Sequence, residues 1–217
     1  MAILKIECAV LQKNDDIAGF NRRLFERFGI MVLNIVSSPG SGKTSLLEQM
    51  LARFRGRINA AVIEGDVQTD LDARRISVFG IPVVQIVTDG GCHLEAGLVR
   101  DAVANLTLDG VQLLLIENVG NLVCPANYDL GESMKVVVVS MTEGDDKPLK
   151  YPGMFRKASI LVINKIDLTP HVSADPEVLV RNALSINPNL KIFRTSCTTG
   201  EGIAELCTWV EEEVAVW

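Results

Sequence analysis

The chain has 217 residues, 48% of them from the AVILMFWYC set and 22% charged, which is enough to bury a large core and unlike a disordered segment. Its 21 Lys and Arg against 27 Asp and Glu leave a net charge of −6. That excludes a general nucleic-acid binder, which needs a basic footprint, and no apolar run approaches the ~20 residues of a membrane span.

In chain order, Met1-Ala-Ile-Leu-Lys5 places a charge too early for a secretory apolar region. The five cysteines are odd in number and scattered, so a reducing cytoplasm is expected rather than a disulfide framework. A helix is predicted over Asp16–Phe28, carrying Arg22, Arg23, Glu26 and Arg27, with the twin Arg22-Arg23 read as a solvated face. Residues 1–30 thus read as a packed helical appendage or oligomer contact on a single domain spanning 1–217. Strands are predicted at Val32–Ser37, Ala60–Glu64, Val83–Val87, Gln112–Glu117, Lys135–Ser140, Ile160–Asn164 and Lys191–Thr195. Helices are predicted at Lys43–Phe54, Asp70–Phe79, Leu94–Asn105, Asp175–Ser185 and Gly202–Val214. Runs such as Leu113-Leu-Leu-Ile116 and Val136-Val-Val-Val139 are apolar at every position, as in strands buried on both faces. The alternation predicts a three-layer α/β/α fold of the P-loop NTPase type, with a mostly parallel sheet of about seven strands.

Ser37-Ser-Pro-Gly-Ser-Gly-Lys-Thr44 follows the first strand and opens a helix, the context a phosphate-binding loop requires. Backbone N–H groups around Gly40, Ser41 and Gly42 can cradle phosphate oxygens, with Pro39 and Ser45 flanking them. Lys43 can reach the β and γ oxygens, and the Thr44 hydroxyl can ligate Mg²⁺. The first position of the pattern is Ser37 where Gly is usual. Glu117 ends an apolar strand as a second Mg²⁺ acid, and Gly120 can offer its N–H to a γ-phosphate. Asp66 can ligate Mg²⁺ through water or orient the attacking water. Asp70 is a backup acid or a helix cap.

Asn164-Lys-Ile-Asp167 has the pattern of a guanine reader. The Asp167 carboxylate can accept from N1–H and the exocyclic amine of guanine, donors that adenine does not present together. The Lys165 stem can lie over the base, and Asn164 can tie the two loops together. Thr195-Ser-Cys-Thr198 offers the N–H groups of Ser196 and Cys197 to guanine O6. GTP or GDP with Mg²⁺ is the expected ligand.

Cys92, His93 and Cys124 fall in loops expected at the same sheet edge as the phosphates. Two thiolates and an imidazole suit Ni²⁺ or Zn²⁺, and a water or a second chain can complete the set. Alternatively they are three unrelated residues, since Cys is often a small buried hydrophobe. Cys8, Cys197 and Cys207 read as no metal site, and His171 as a surface residue.

Taken together, Ser38-Pro-Gly-Ser-Gly-Lys-Thr-Ser45, Glu64-Gly-Asp66, Cys92-His-Leu-Glu95, Glu117-Asn-Val-Gly-Asn-Leu-Val-Cys-Pro125, Tyr128-Asp-Leu-Gly-Glu132, Thr142-Glu-Gly-Asp145, Lys147-Pro148, Tyr151-Pro152 and Asn164-Lys-Ile-Asp167 closely resemble the hydrogenase nickel-incorporation GTPases, the HypB family. The resemblance runs in order through nearly the whole chain. It implies a SIMIBI-like, dimerising, slow GTPase that helps load nickel into [NiFe]-hydrogenase large-subunit precursors with a partner nickel metallochaperone. It also implies that Cys92, His93 and Cys124 are Ni²⁺ or Zn²⁺ ligands. Many members carry an N-terminal Cys-x-x-Cys-Gly-Cys motif or a His-rich segment, whereas this sequence has only Cys8 and no His before His93. The alternatives are a urease-type nickel GTPase, whose metal loop reads Cys-Pro-His, a metabolic P-loop kinase, and a metal carrier without turnover. No glutamine or arginine finger stands in the usual place, so slow turnover is expected without a partner.

Overall fold

The computed structural model describes residues 6–68 and 71–217. Asp70, the backup acid, and the side chain of Cys8 lie outside the described residues. Seven strands form one sheet in the order β3-β2-β4-β1-β5-β6-β7, with every neighbouring pair parallel. They are β1 (Met31–Ser37), β2 (Ala60–Asp66), β3 (Val83–Val87), β4 (Leu113–Glu117), β5 (Met134–Ser140), β6 (Ile160–Asn164) and β7 (Lys191–Arg194). The helices are α1 (Ile6–Phe28), α2 (Lys43–Phe54), α3 (Leu71–Ser77), α4 (Ala96–Val103), α5 (Lys147–Lys150), α6 (Pro152–Lys157), α7 (Pro176–Ile186) and α8 (Ile203–Val216).

Alternation along the strands sends side chains to opposite faces. Met31, Leu33 and Ile35 pack with Leu47 and Phe54 of α2, Ile76 of α3 and Leu206 of α8. Val32, Ala61 and Leu114 pack with Phe25 of α1 and Val99 of α4, while Val137 and Leu161 meet Phe155 of α6 and Leu179 of α7. Both faces of the sheet are therefore covered, which is why its inner strands are mostly apolar, with Asn34, Glu64, Glu117 and Lys135 as buried exceptions.

Three differences from the sequence reading have physical reasons. The first helix begins at Ile6 rather than Asp16, and Asn14 within that added stretch donates to Asp129 O at 2.8 Å and accepts from Ala96 N at 2.9 Å. The fourth helix begins at Ala96 rather than Leu94, because the backbone of Glu95 is extended (φ −112°, ψ 157°), while the Leu94 N–H before it is held by Asn118 Oδ1 at 3.0 Å. Helices α5 and α6 were not predicted. At four and six residues they are too short for periodicity to show, and each carries a proline in its first turn.

Candidate functional site

Parallel strands bring all their C-terminal ends to one edge, and the order reverses beside β1, whose connections leave to β2 on one side while β5 lies on the other. Ligands of such sheets bind at that crevice. The loop from Ser37 to Lys43 sits there. Gly42 has φ +95°, and a Cβ on it would lie 2.6 Å from Asn164 Nδ2, so this position must remain glycine.

Lys43 is buried and donates to Ser37 Oγ at 3.0 Å, with Nζ 3.9 Å from Glu117 Oε1. Ser37, a departure from the usual glycine, thus parks the lysine. Thr44 Oγ1 donates to the same Glu117 oxygen at 2.9 Å. A cleft of about 500 Å³ is lined by Gly40, Lys43, Thr44, Ser45, Asp66, Glu117, Gly120 and Lys165, among others. Gly120 lies against Pro39, where a Cβ would meet the proline ring and backbone at 3.1 Å.

The sequence reading passed over Glu64 as a site residue. Parallel pairing places it directly across from Glu117, and it is 1% exposed. Burial, together with the neighbouring Glu117 charge, pushes the Glu64 carboxyl up to about 10. Burial also raises Glu117, with Lys43 pulling it back down. Two carboxyls this close in a dry site hold a proton unless a cation relieves them. The signal was available, since Glu64 and Glu117 each follow an apolar run on a predicted strand, but only the register shows that they are opposite. Asp66 Oδ1 accepts from Gln68 N at 2.8 Å, and Asp72 and Arg75 join it in the cleft wall. The sequence reading gave Arg75 no role. Its guanidinium is held by Glu48 at 2.7 Å, Asp72 at 3.1 Å and Ser45 Oγ at 3.2 Å.

At the end of β6, Asn164 Nδ2 donates to Ser41 O at 3.0 Å and Lys165 Nζ donates to Gly40 O at 2.7 Å. The two loops are thereby fastened together. Asn164 Oδ1 accepts from Thr195 Oγ1 at 3.2 Å, with Cys197 Sγ 3.5 Å away. Asp167 Oδ1 is buried and has no hydrogen-bond partner among the described residues. The Ser196 amide is engaged by Glu201 O at 3.0 Å within its own loop. Of this set only Lys165 also lines the phosphate cleft.

Cys92, His93 and Cys124 come together, with ligand atoms all within 4.8 Å of one another. Cys92 Sγ lies 3.4 Å from His93 Nδ1. His93 Nε2 is buried without a hydrogen bond, 3.8 Å from Glu95 Oε1, and the ring rests 3.9 Å from that of Tyr128. The hydrogen bond with Cys124 raises the Cys92 thiol, and burial lowers His93. A neutral imidazole beside two thiols fits a soft divalent ion, which would replace the shared proton. Cys207 is buried in the core and pushed up to about 12 by that burial, so it is inert, and His171 is exposed at the end of a short 3₁₀ turn.

Residues 31–194 match the family described as CobW/HypB/UreG, nucleotide-binding domain. The chain is 52% identical over 212 residues to the hydrogenase maturation factor HypB of Azotobacter vinelandii, covering 97% of this chain and 70% of that one. Two solved structures are also similar. HypB from Archaeoglobus fulgidus gives a TM-score of 0.88 at 38% identity, covering 94% of this chain and 99% of that one. HypB from Helicobacter pylori in complex with nickel gives 0.89 at 38% identity, covering 94% and 95%.

Proposed function

The chain belongs to the HypB family of hydrogenase maturation factors, and we propose that it acts there as a Mg²⁺-dependent GTPase that carries nickel toward [NiFe]-hydrogenase precursors. The observation that carries this reading is the continuity of two sites. Glu117 and Gly120 line the phosphate cleft, and the same loop runs on to Cys124 in the thiol–imidazole cluster.

Guanine recognition is assigned to Asp167, whose buried Oδ1 awaits donors that the base would bring. Asn164 and Lys165 hold the base loop against Gly40 and Ser41, so the base and the phosphates are placed as one unit. The Cys197 amide is the better candidate for guanine O6, since the Ser196 amide is engaged. Thr44 and Glu117, with Asp66 through water, are the residues that would hold Mg²⁺, which supplies charge neutralisation at the phosphates. Lys43 leaves Ser37 for the γ-phosphate, and the amides of Gly40–Thr44 and Gly120 stabilise charge that builds on the transferred group. Water attacks in line. Arg75, engaged by two carboxylates, is not free to act as a finger, which accords with slow turnover alone.

Ni²⁺ or Zn²⁺ is cargo on Cys92, His93 and Cys124, and a second copy of the chain completes the ligand set in a homodimer. The 217 residues work as one unit in the cytoplasm, with α1 as a fixed helical appendage, beside a nickel metallochaperone and the hydrogenase precursor. Phosphate release from GTP and from ATP tests the reading. Turnover of GTP alone, dependent on Mg²⁺, is expected; equal turnover of both overturns the guanine assignment.

A further inference from the structure

A chain of buried polar side chains runs between the two loops that bear the metal ligands; none of them is a metal ligand, and of Asn34, Asn118, Glu132 and Lys135 only Asn118 also lines the phosphate cleft. It starts one residue past His93, where Leu94 N donates to Asn118 Oδ1 at 3.0 Å. Asn118 Nδ2 donates to Asn34 Oδ1 at 3.1 Å, and Asn34 Nδ2 donates to Glu132 Oε1 at 3.1 Å. Lys135 Nζ lies 3.3 Å from that same carboxylate oxygen. The lysine also donates to Pro125 O at 3.0 Å, one residue past Cys124, and to Tyr128 O at 3.2 Å. Tyr128 in turn supports the His93 ring at 3.9 Å.

Asn34 is 0%, Asn118 1% and Lys135 6% exposed. Asn34 and Lys135 interrupt runs that are otherwise apolar, Met31–Val36 and Met134–Val139. Apolar residues of the same size would serve stability as well, because a buried ion pair and its desolvation roughly cancel. What apolar residues cannot do is grip three backbone groups at chosen points on two separate loops. We propose that Lys135 and Asn118 are positioning residues of the metal site, holding the Cys92–His93 loop and the Cys124 loop at the separation that gathers three donor atoms around one ion. This rests on the reading of Cys92, His93 and Cys124 as the metal site. The relation is that of outer-shell groups to ligands, where losing the support weakens the metal without removing a donor.

The test is a Ni²⁺ titration of the full chain, followed by the near-ultraviolet charge-transfer absorption of nickel on thiolate. The chains compared are the unaltered protein, Cys124→Ser, Lys135→Met and the pair Glu132→Gln with Lys135→Met. The pair leaves no unpaired buried charge, so it stays folded if Lys135→Met alone does not. GDP affinity and the thermal midpoint are measured alongside. Lys135→Met or the pair is expected to weaken Ni²⁺ by ~10–100-fold and to shift the band, with GDP affinity within about twofold of the parent. Cys124→Ser is expected to lose the band. Unchanged Ni²⁺ affinity and band in a folded Lys135 variant, with Cys124→Ser inactive in binding, overturns the positioning role and leaves the metal site standing. Equal losses of GDP and Ni²⁺ affinity also overturn it, since the chain would then serve only the fold. A full band in Cys124→Ser overturns the metal site and this inference with it.

Discussion

Glu64→Gln should stabilise the nucleotide-free protein, by an amount that grows with pH. Glu64 is 1% exposed and faces Glu117 across the β2–β4 ladder, so its carboxyl keeps its proton in the folded chain up to about 10. In the unfolded chain it ionises near the ordinary glutamate value of ~4.3. Between those values the native state holds a proton that the unfolded state has released. Raising the pH therefore favours unfolding, at about 1.4 kcal/mol per unit. Between pH 6 and pH 8 that single group removes roughly 2.7 kcal/mol of stability. Glutamine keeps an N–H donor for Glu117 and has no proton to lose, so its stability curve lacks this slope. Urea unfolding at pH 6, 7 and 8 in the presence of a chelator measures the difference directly. The two proteins should diverge steadily as pH rises, with the variant the more stable. Parallel curves would mean that Glu64 is ionised in the folded chain, and the account of a proton held between two carboxyls would be refuted.

Asp167→Asn turns an acceptor into a donor facing the donors of guanine. Loss of one charged hydrogen bond and the mismatch should cost ~2–4 kcal/mol, about 30- to 1000-fold in GTP affinity, with a gain for xanthosine triphosphate; competition binding checks both. Lys43→Ala should lower GTP turnover by at least ~100-fold, since the amine serves phosphate charge; phosphate release reads the effect. Metal affinity should rise with pH by up to about tenfold per unit for each proton displaced, because the raised Cys92 thiol must release one. Titrating Zn²⁺ from pH 6 to pH 8 tests this, and Cys207→Ser should leave the curve unmoved.

The layers, the strand runs and the glycine-rich turn into α2 were legible in the chain, because each is written in residues close together in sequence, and the phosphate and guanine roles proposed above rest on patterns of the same local kind. Apolar runs such as Val136–Val139 encode burial on both faces, and Gly42, Lys43 and Thr44 encode a turn that favours glycine and opens a helix. The two short helices over Lys147–Lys157 were not legible, since periodicity needs more than one turn to show. Cys92, His93 and Cys124 could be named from the sequence, but only the fold brings them within 4.8 Å, across the 30 residues that separate His93 from Cys124. Glu64 and the support through Asn34, Asn118, Glu132 and Lys135 depended wholly on tertiary structure. Their roles arise from strand register and burial, which decide whether two carboxyls share a proton and whether a lysine meets carbonyls or water. Local patterns specify what a segment can do alone, whereas proximity and desolvation exist only once β1, β2, β4 and β5 lie side by side.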